Sequence, residues 1–292
     1  MRVAAAKYPI DAPRDFAAFA DKQRRLLEAA ADAGAHVALL PEYLAMELGA
    51  CFDDPVRSDR SASLAAIQVF REDWLALYAQ LARDTGLYVA AGTFLLADGA
   101  DYRNRADLFA PDGGYAWQDK LQLTAFEKQI GAMRGGDALK AFDCGGRRIA
   151  TAVCYDIEFP LPVHAQCEAG ARLLLVPSCT DTDAGATRVR VGCLARALEN
   201  RCFVAQSVTA GEAPWSPSLD VNTGEAAIYA PMDVGLPADG MLARTQGDET
   251  WAIADLDFDA LDASRAQAQV ANDRDWAGQH APMLRHAHVE RL

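Results

Sequence analysis

No stretch of the 292 residues approaches the 18 consecutive apolar positions that a membrane-spanning helix needs. The opening MRVAAAKYPIDAP reaches Lys7, Pro9 and Asp11 too soon to form a secretory h-region, so the expectation is a cytoplasmic protein that does not engage a membrane. Metal-binding patterns are missing too. The seven cysteines, at 51, 144, 154, 167, 179, 193 and 202, are odd in number and irregularly spaced, with no C-x-x-C pair and no Cys/His cluster at zinc spacing. No disulfide framework is expected, and a reducing compartment fits. Positive charge is short: 28 Lys and Arg stand against 41 Asp and Glu, a net charge of −13. A nucleic-acid or anionic-membrane partner would gain nothing from such a surface. Nor does any linker, charge block or low-complexity run mark a second domain, while a 51% hydrophobic content supplies core for one large α/β domain or two small ones.

The residues present alternate between two periodicities. Residues 2–8 read as a strand and 15–33 as an amphipathic helix with Phe16, Phe19, Leu26, Leu27 and Ala30 on one stripe, closed by Gly34. The short run 36–40 reads as a buried strand that empties into Pro41, Glu42 and Tyr43. Helix, glycine and strand recur at 61–84, Gly86 and 87–94, and again at 161–169, Gly170 and 171–176. That alternation predicts a sheet covered by helices. Segments 103–110 and 115–119, joined by a turn at 111–114, read as a hairpin, so antiparallel strands are mixed in. A helix over 184–201 leads into a strand over 202–208, with further short strands at 226–230 and 249–255. The polar tail from 259 is helical in places and suited to wrapping a neighbour.

Within 148–160 an apolar β-type run ends abruptly at Cys154, followed by polar residues and the helix-opening Pro160. A thiol at a strand-to-helix turn can face a cleft, with the following backbone N–H groups aimed at whatever binds there. The alternative is a small buried hydrophobe, as most free cysteines are. A nucleophile usually borrows a base. Of five histidines, His280, His286 and His288 lie in the tail, His36 opens a strand and His164 follows Cys154 on a helix, and none is singled out as a partner. Glu42 is the better candidate, because it leaves the C-terminal end of one strand as Cys154 leaves another, and in open α/β sheets such ends meet at the binding crevice. Lys120 follows the second hairpin strand, with Glu127 in the fairly apolar run beyond it. Spacing alone does not bring these four together.

Pro-Glu at 41–42, Asp-Lys-Leu at 119–121 with Glu127 beyond, and Val-Cys-Tyr-Asp at 153–156 resemble the Glu, Lys and Cys motifs of the nitrilase superfamily of carbon–nitrogen hydrolases, in that family's order. The segment 196–200 resembles the helix motif after the nucleophile, and Asn104 with Asp112 and Gly113 resembles the hairpin before the lysine. The likeness covers about residues 1 to 260, leaving 261–292 as a C-terminal tail packed on the domain or at an oligomer interface. It implies an α/β fold, a four-layer α-β-β-α sandwich of two mixed sheets, assembled as a homodimer or higher homo-oligomer. It also implies a small amide substrate, a thioester on Cys154, no cofactor and no metal.

In that scheme Glu42 is the base, Lys120 and the Tyr155 N–H hold the oxyanion, Glu127 positions Lys120 or the substrate, and Tyr43 and Thr180 line the pocket. Cys-Tyr-Asp looks more like the amidase branches than the nitrile-cleaving ones, which carry Cys-Trp-Glu, and 176–182 resembles an amidase-like branch. Glu158 departs from the arginine that many members place before Phe-Pro. Glu199 and Asn200 are expected to hold the helix end through side-chain to backbone hydrogen bonds. Cys51, Cys144, Cys167, Cys193 and Cys202 read as packing residues, and Cys179 as the one worth testing for proximity to the site. Nitrile or N-carbamoyl hydrolysis on the same scaffold and a non-catalytic ligand-binding protein remain alternatives. A thiol redox sensor is weaker, since no resolving cysteine is evident.

Overall fold

The computed structural model describes residues 1–291; residue 292, the last of the tail, lies outside the described residues. Its strands are β1 (Arg2–Pro9), β2 (Val37–Leu39), β3 (Tyr88–Asp98), β4 (Asp101–Phe109), β5 (Tyr115–Asp119), β6 (Ala141–Cys144), β7 (Arg147–Thr151), β8 (Leu173–Ser178), β9 (Phe203–Glu212), β10 (Val221–Asn222), β11 (Ala227–Tyr229), β12 (Met241–Arg244) and β13 (Trp251–Asp255). They connect in the order β5-β4-β3-β2-β1-β9-β8-β7-β6, and β1 is where the path folds. Its first part runs parallel to β2 and antiparallel to β13, while Lys7, Tyr8 and Pro9 pair in parallel with β9. Two mixed sheets result, joined at one corner.

Side-chain alternation along the strands sorts the core into three layers, as a period of two requires. Val3, Ala5, Val37 and Leu39 from one sheet share a core with Ile149, Leu173, Leu175 and Ala205 from the other, so these faces meet. The intervening residues point outward. Ala4, Ala6, Tyr8 and Ala38 pack against Phe19, Leu27, Trp74 and Tyr78 of the helices on one side. Ala150, Ala152, Leu174 and Val176 pack against Val163, Val189, Cys193 and Ala197 of the helices on the other. The architecture is therefore the α-β-β-α sandwich. Every strand buried on both faces must read as nearly continuous apolar sequence, and β8 does.

Most elements lie where periodicity puts them, with informative exceptions. Helix Phe16–Asp32 starts at Asp15, whose carboxylate accepts the Ala18 N–H. The helix expected over 61–84 is interrupted: Arg60–Ala66 and Arg71–Thr85 flank a 3₁₀ turn at Ile67–Phe70. At that turn the Gln68 amide donates to the Leu95 carbonyl and accepts from Ala97 N–H, tying the chain to β3. Arg71 and Trp74 then both reach the buried Asp107 of β4. The hairpin of β6 and β7, turning at Gly145 and Gly146 with φ of 62° and 78°, and strand β12 were not legible from periodicity.

Helix Phe258–Gln267 buries Phe258 and Leu261 in the core between the sheets. Beyond it Trp276 stacks on His164, with 3.9 Å between ring centroids. Cys144, Cys167, Cys193 and Cys202 are buried and unpaired, as packing residues should be, and Cys51 is half-buried. Among the described residues no helix is long and apolar enough to cross a membrane.

Candidate active site

Glu42 reaches its position through backbone contacts between two chain segments. β2 ends at Leu39, and the next residues run against a bulge in β3 at Gly92, whose φ is 70° and whose added Cβ would lie 2.1 Å from the Pro41 carbonyl oxygen. Only glycine permits that approach. The adjoining Thr93 N–H donates to the same carbonyl, and its hydroxyl accepts the Tyr43 N–H at 2.8 Å. Tyr43 itself has φ of 60°, which turns the chain into the 3₁₀ segment Leu44–Cys51. The Glu42 carboxylate is left pointing inward, 1% exposed.

Lys120 follows β5 directly, with its backbone N–H held by the Asn104 carbonyl of β4 at 2.9 Å. Its ammonium sits 2.7 Å from Glu42 Oε1 and 2.9 Å from Glu127 Oε2. Glu127 comes from the short helix Ala125–Ile130, whose Thr124 cap closes a capping box with it. Glu127 is 1% exposed and so is no surface carboxylate. Tyr43 OH donates to Glu127 Oε1 at 3.0 Å, and Asn104 Nδ2 donates to both carboxylates, at 2.8 Å to Glu42 and 3.2 Å to Glu127. The Tyr43 hydroxyl is thereby committed to Glu127.

Cys154 opens the 3₁₀ turn Cys154–Glu158 beyond β7 with φ of 47°. A non-glycine residue held there stores about 1–2 kcal/mol, which the surroundings must maintain. Two contacts do so. Gly192, on helix Asp183–Asn200, brings that helix against the turn so closely that a Cβ would meet Ile157 Cγ2 at 2.9 Å. Asp156 accepts the N–H groups of Leu121 (3.0 Å), Gln122 (2.7 Å) and Val153 (3.3 Å), clamping the cysteine turn to the segment that carries Lys120. Cys154 Sγ lies 3.8 Å from the Cys179 carbonyl, and Cys179 N–H donates to Glu42 Oε2 at 3.1 Å.

Glu42, Lys120 and Cys154 thus form the floor of one cleft of about 300 Å³. Tyr43, Tyr155, Cys179 and Thr180 also line it, although the Thr180 hydroxyl is spent on the Thr223 carbonyl at 2.6 Å. Glu127 lies behind the wall, touching Lys120. Glu199 does not hold its helix end through backbone contacts as expected, because its carboxylate pairs with Arg196 at 2.8 Å. Asn200 does, donating to the Arg196 carbonyl.

Electrostatics follow from burial. Burial lifts the Glu42 carboxyl above the ordinary carboxylate range; Lys120 pulls it back and the Glu127 charge lifts it again. Glu127 is lifted by burial too, yet Lys120, Thr124 and Asn104 together hold it low. Burial works against the Lys120 charge, but the two carboxylates outweigh it and keep the ammonium protonated. Burial, and then the Glu42 charge, push the Cys154 thiol well above its ordinary range, with Lys120 offsetting part. Cys179 is pushed up to about 12 by the same causes. The resting arrangement is a neutral thiol beside a buried, lysine-bound glutamate. A buried base so placed can take a thiol proton when a substrate arrives.

Asn104, Asp156 and Gly92 carry no signal that reading the sequence could turn into a role, because each acts through a partner tens of residues away. Asn104 drew notice only as part of a hairpin motif, and Asp156 only as the last residue of the cysteine motif.

Comparison with known proteins places the family and the fold. Residues 2–266 match the family model described as carbon-nitrogen hydrolase. A probable hydrolase of Bacillus subtilis is 29% identical over 94% of this chain, which spans only 53% of that protein. An omega-amidase of Xenopus laevis is 24% identical over 87% of this chain and 88% of its own. The fold matches, with a TM-score of 0.64, 24% identity and coverage of 94% and 99%, a mutant amidase from Nesterenkonia sp. AN1 described as showing Michael addition of acrylamide at the active site cysteine.

Proposed function

This chain belongs to the carbon-nitrogen hydrolase family, and on that premise we propose that it hydrolyses the C–N bond of a small carboxamide through a thioester on Cys154, releasing ammonia or an amine. One observation carries the reading: a thiol, a buried carboxylate and a buried ammonium from three distant chain segments meet at the floor of one cleft. Glu42 takes the Cys154 proton as sulfur bonds to the carbonyl carbon. The tetrahedral oxyanion is held by the Lys120 ammonium and the Tyr155 N–H, donors worth about 3 kcal/mol each in a preorganised site. Glu42 returns the proton to the nitrogen as the C–N bond breaks, leaving the acyl group on sulfur. Water then gives a proton to Glu42 and its oxygen attacks the thioester; collapse yields the carboxylic acid and restores the thiol. Glu127 touches no reacting atom and acts as a positioning residue for Lys120.

The unpaired state of all seven cysteines supports a reducing, cytoplasmic setting. Exposed Leu161 and Val191, on adjacent helices of one outer layer, support a homodimer. Release of ammonia from a panel of aliphatic amides tests the reaction. Wild type is expected to turn over at least one of them and Cys154→Ala none, with its melting temperature retained. Turnover by Cys154→Ala would overturn the proposal.

A further inference from the structure

Above the reacting residues, the charges on the cleft wall are unequal. Glu158, Asp181 and Asp220 line it, and the one basic side chain among the lining residues besides Lys120 is Arg188. Arg188 is already answered, its guanidinium 3.6 Å from the Glu158 carboxylate. Arg60 contacts two lining residues, the Pro217 carbonyl at 2.9 Å and the Phe126 ring at 4.3 Å, without itself facing the cleft. Among the described residues neither Asp181 nor Asp220 has an ion pair, and both are exposed. The floor offers no free cation, because the Lys120 ammonium is held between two carboxylates.

Resting on the amidase reading, we infer that this cleft selects amides whose non-reacting end carries a protonated amine or guanidinium, and turns away amides that bear a second carboxylate. Two unpaired aspartates on the cleft wall attract a cation during encounter and hold its far end once the carbonyl lies against Cys154. The reacting end is indifferent to this charge. What the aspartates change is the orientation and residence of the rest of the molecule. A carboxylate in the same place meets like charge, and the one lining cation besides Lys120, Arg188, already has Glu158 beside it.

Three five-carbon amides differing only at the far end test this: pentanamide, 5-aminopentanamide and the monoamide of glutaric acid. The expected order of kcat/KM is cationic above neutral above anionic, with about tenfold between the extremes at low salt and a narrower gap at high salt. In Asp181→Asn/Asp220→Asn the gap is expected to close, whereas Asp21→Asn/Asp248→Asn, which removes two charges from exposed positions elsewhere, keeps it. Calorimetry of the same three amides with Cys154→Ala reads selection separately from chemistry. The same order of Kd supports the inference even where turnover is lost. Equal affinities, a preference for the anion, or an unchanged ratio in Asp181→Asn/Asp220→Asn overturns it. If no amide is turned over by wild type while the Kd order holds, the reaction assignment falls and the charge selection stands.

Discussion

Asp156→Asn removes the buried carboxylate that clamps the cysteine turn to the segment carrying Lys120. The Asp156 carboxyl is nearly enclosed and holds three backbone N–H groups, yet burial outweighs those donors and raises it from its ordinary 3.8 to about 6. A carboxyl displaced that far differs between the folded and unfolded chain by about 3 kcal/mol. Because the folded value is the higher one, the folded chain keeps its proton between about pH 4 and pH 6 while the unfolded chain has lost it. This group's contribution is therefore most favourable below pH 4 and declines by about 3 kcal/mol as pH rises through 6. Asparagine cannot ionise and has no such decline. It resembles the protonated residue, with one oxygen still able to accept from Leu121 and Gln122, and an NH₂ facing the Val153 N–H.

Urea unfolding of wild type and Asp156→Asn at half-unit steps from pH 4 to 8 isolates the effect, since every other titrating group cancels in the difference. Relative to the variant, wild type is expected to lose about 2.5 kcal/mol across that range, half of it by about pH 5. Superimposable pH profiles would refute the reasoning, since the clamp would then carry no buried charge. The variant should also lose about 10- to 100-fold in kcat through loosened placement of Cys154 against Lys120.

Other consequences follow from the same contacts. Lys120→Met leaves Glu42 and Glu127 facing each other without a cation, so a loss of about 3–5 kcal/mol and the end of turnover are expected by thermal melting and ammonia release. Gly192→Ala forces its Cβ against Ile157, costing about 1–3 kcal/mol and lowering kcat more than it changes KM. Glu42→Gln removes the charge that raises the Cys154 thiol, so iodoacetamide should label Cys154 faster than in wild type at a given pH while turnover is lost. Slower labelling would show that Glu42 does not raise the thiol.

The elements that could be read from the sequence are those with local causes. The apolar run ending at Cys154, the strand ending before Glu42 and the hairpin ending at Lys120 all stand where periodicity and turn residues put them. Periodicity stopped at a mixed sheet covered by helices; the second sheet came from family likeness, because β1 shows no local mark of changing partners halfway along. The break at Ile67–Phe70 was invisible because Gln68 is an ordinary helix residue until β3 offers it a carbonyl and an N–H. Asn104 and Asp156 escaped for the same reason: a polar residue in a strand or turn looks like surface until its partners arrive from elsewhere.

The central claim is covalent, and mass spectrometry of the intact and digested protein after rapid acid quench of a turning-over amide tests it directly. An acyl group, of substrate mass less ammonia or amine, is expected on the peptide that carries Cys154 and absent from Cys154→Ala. An acyl group on another residue, or turnover at full rate with Cys154 never modified, would contradict it.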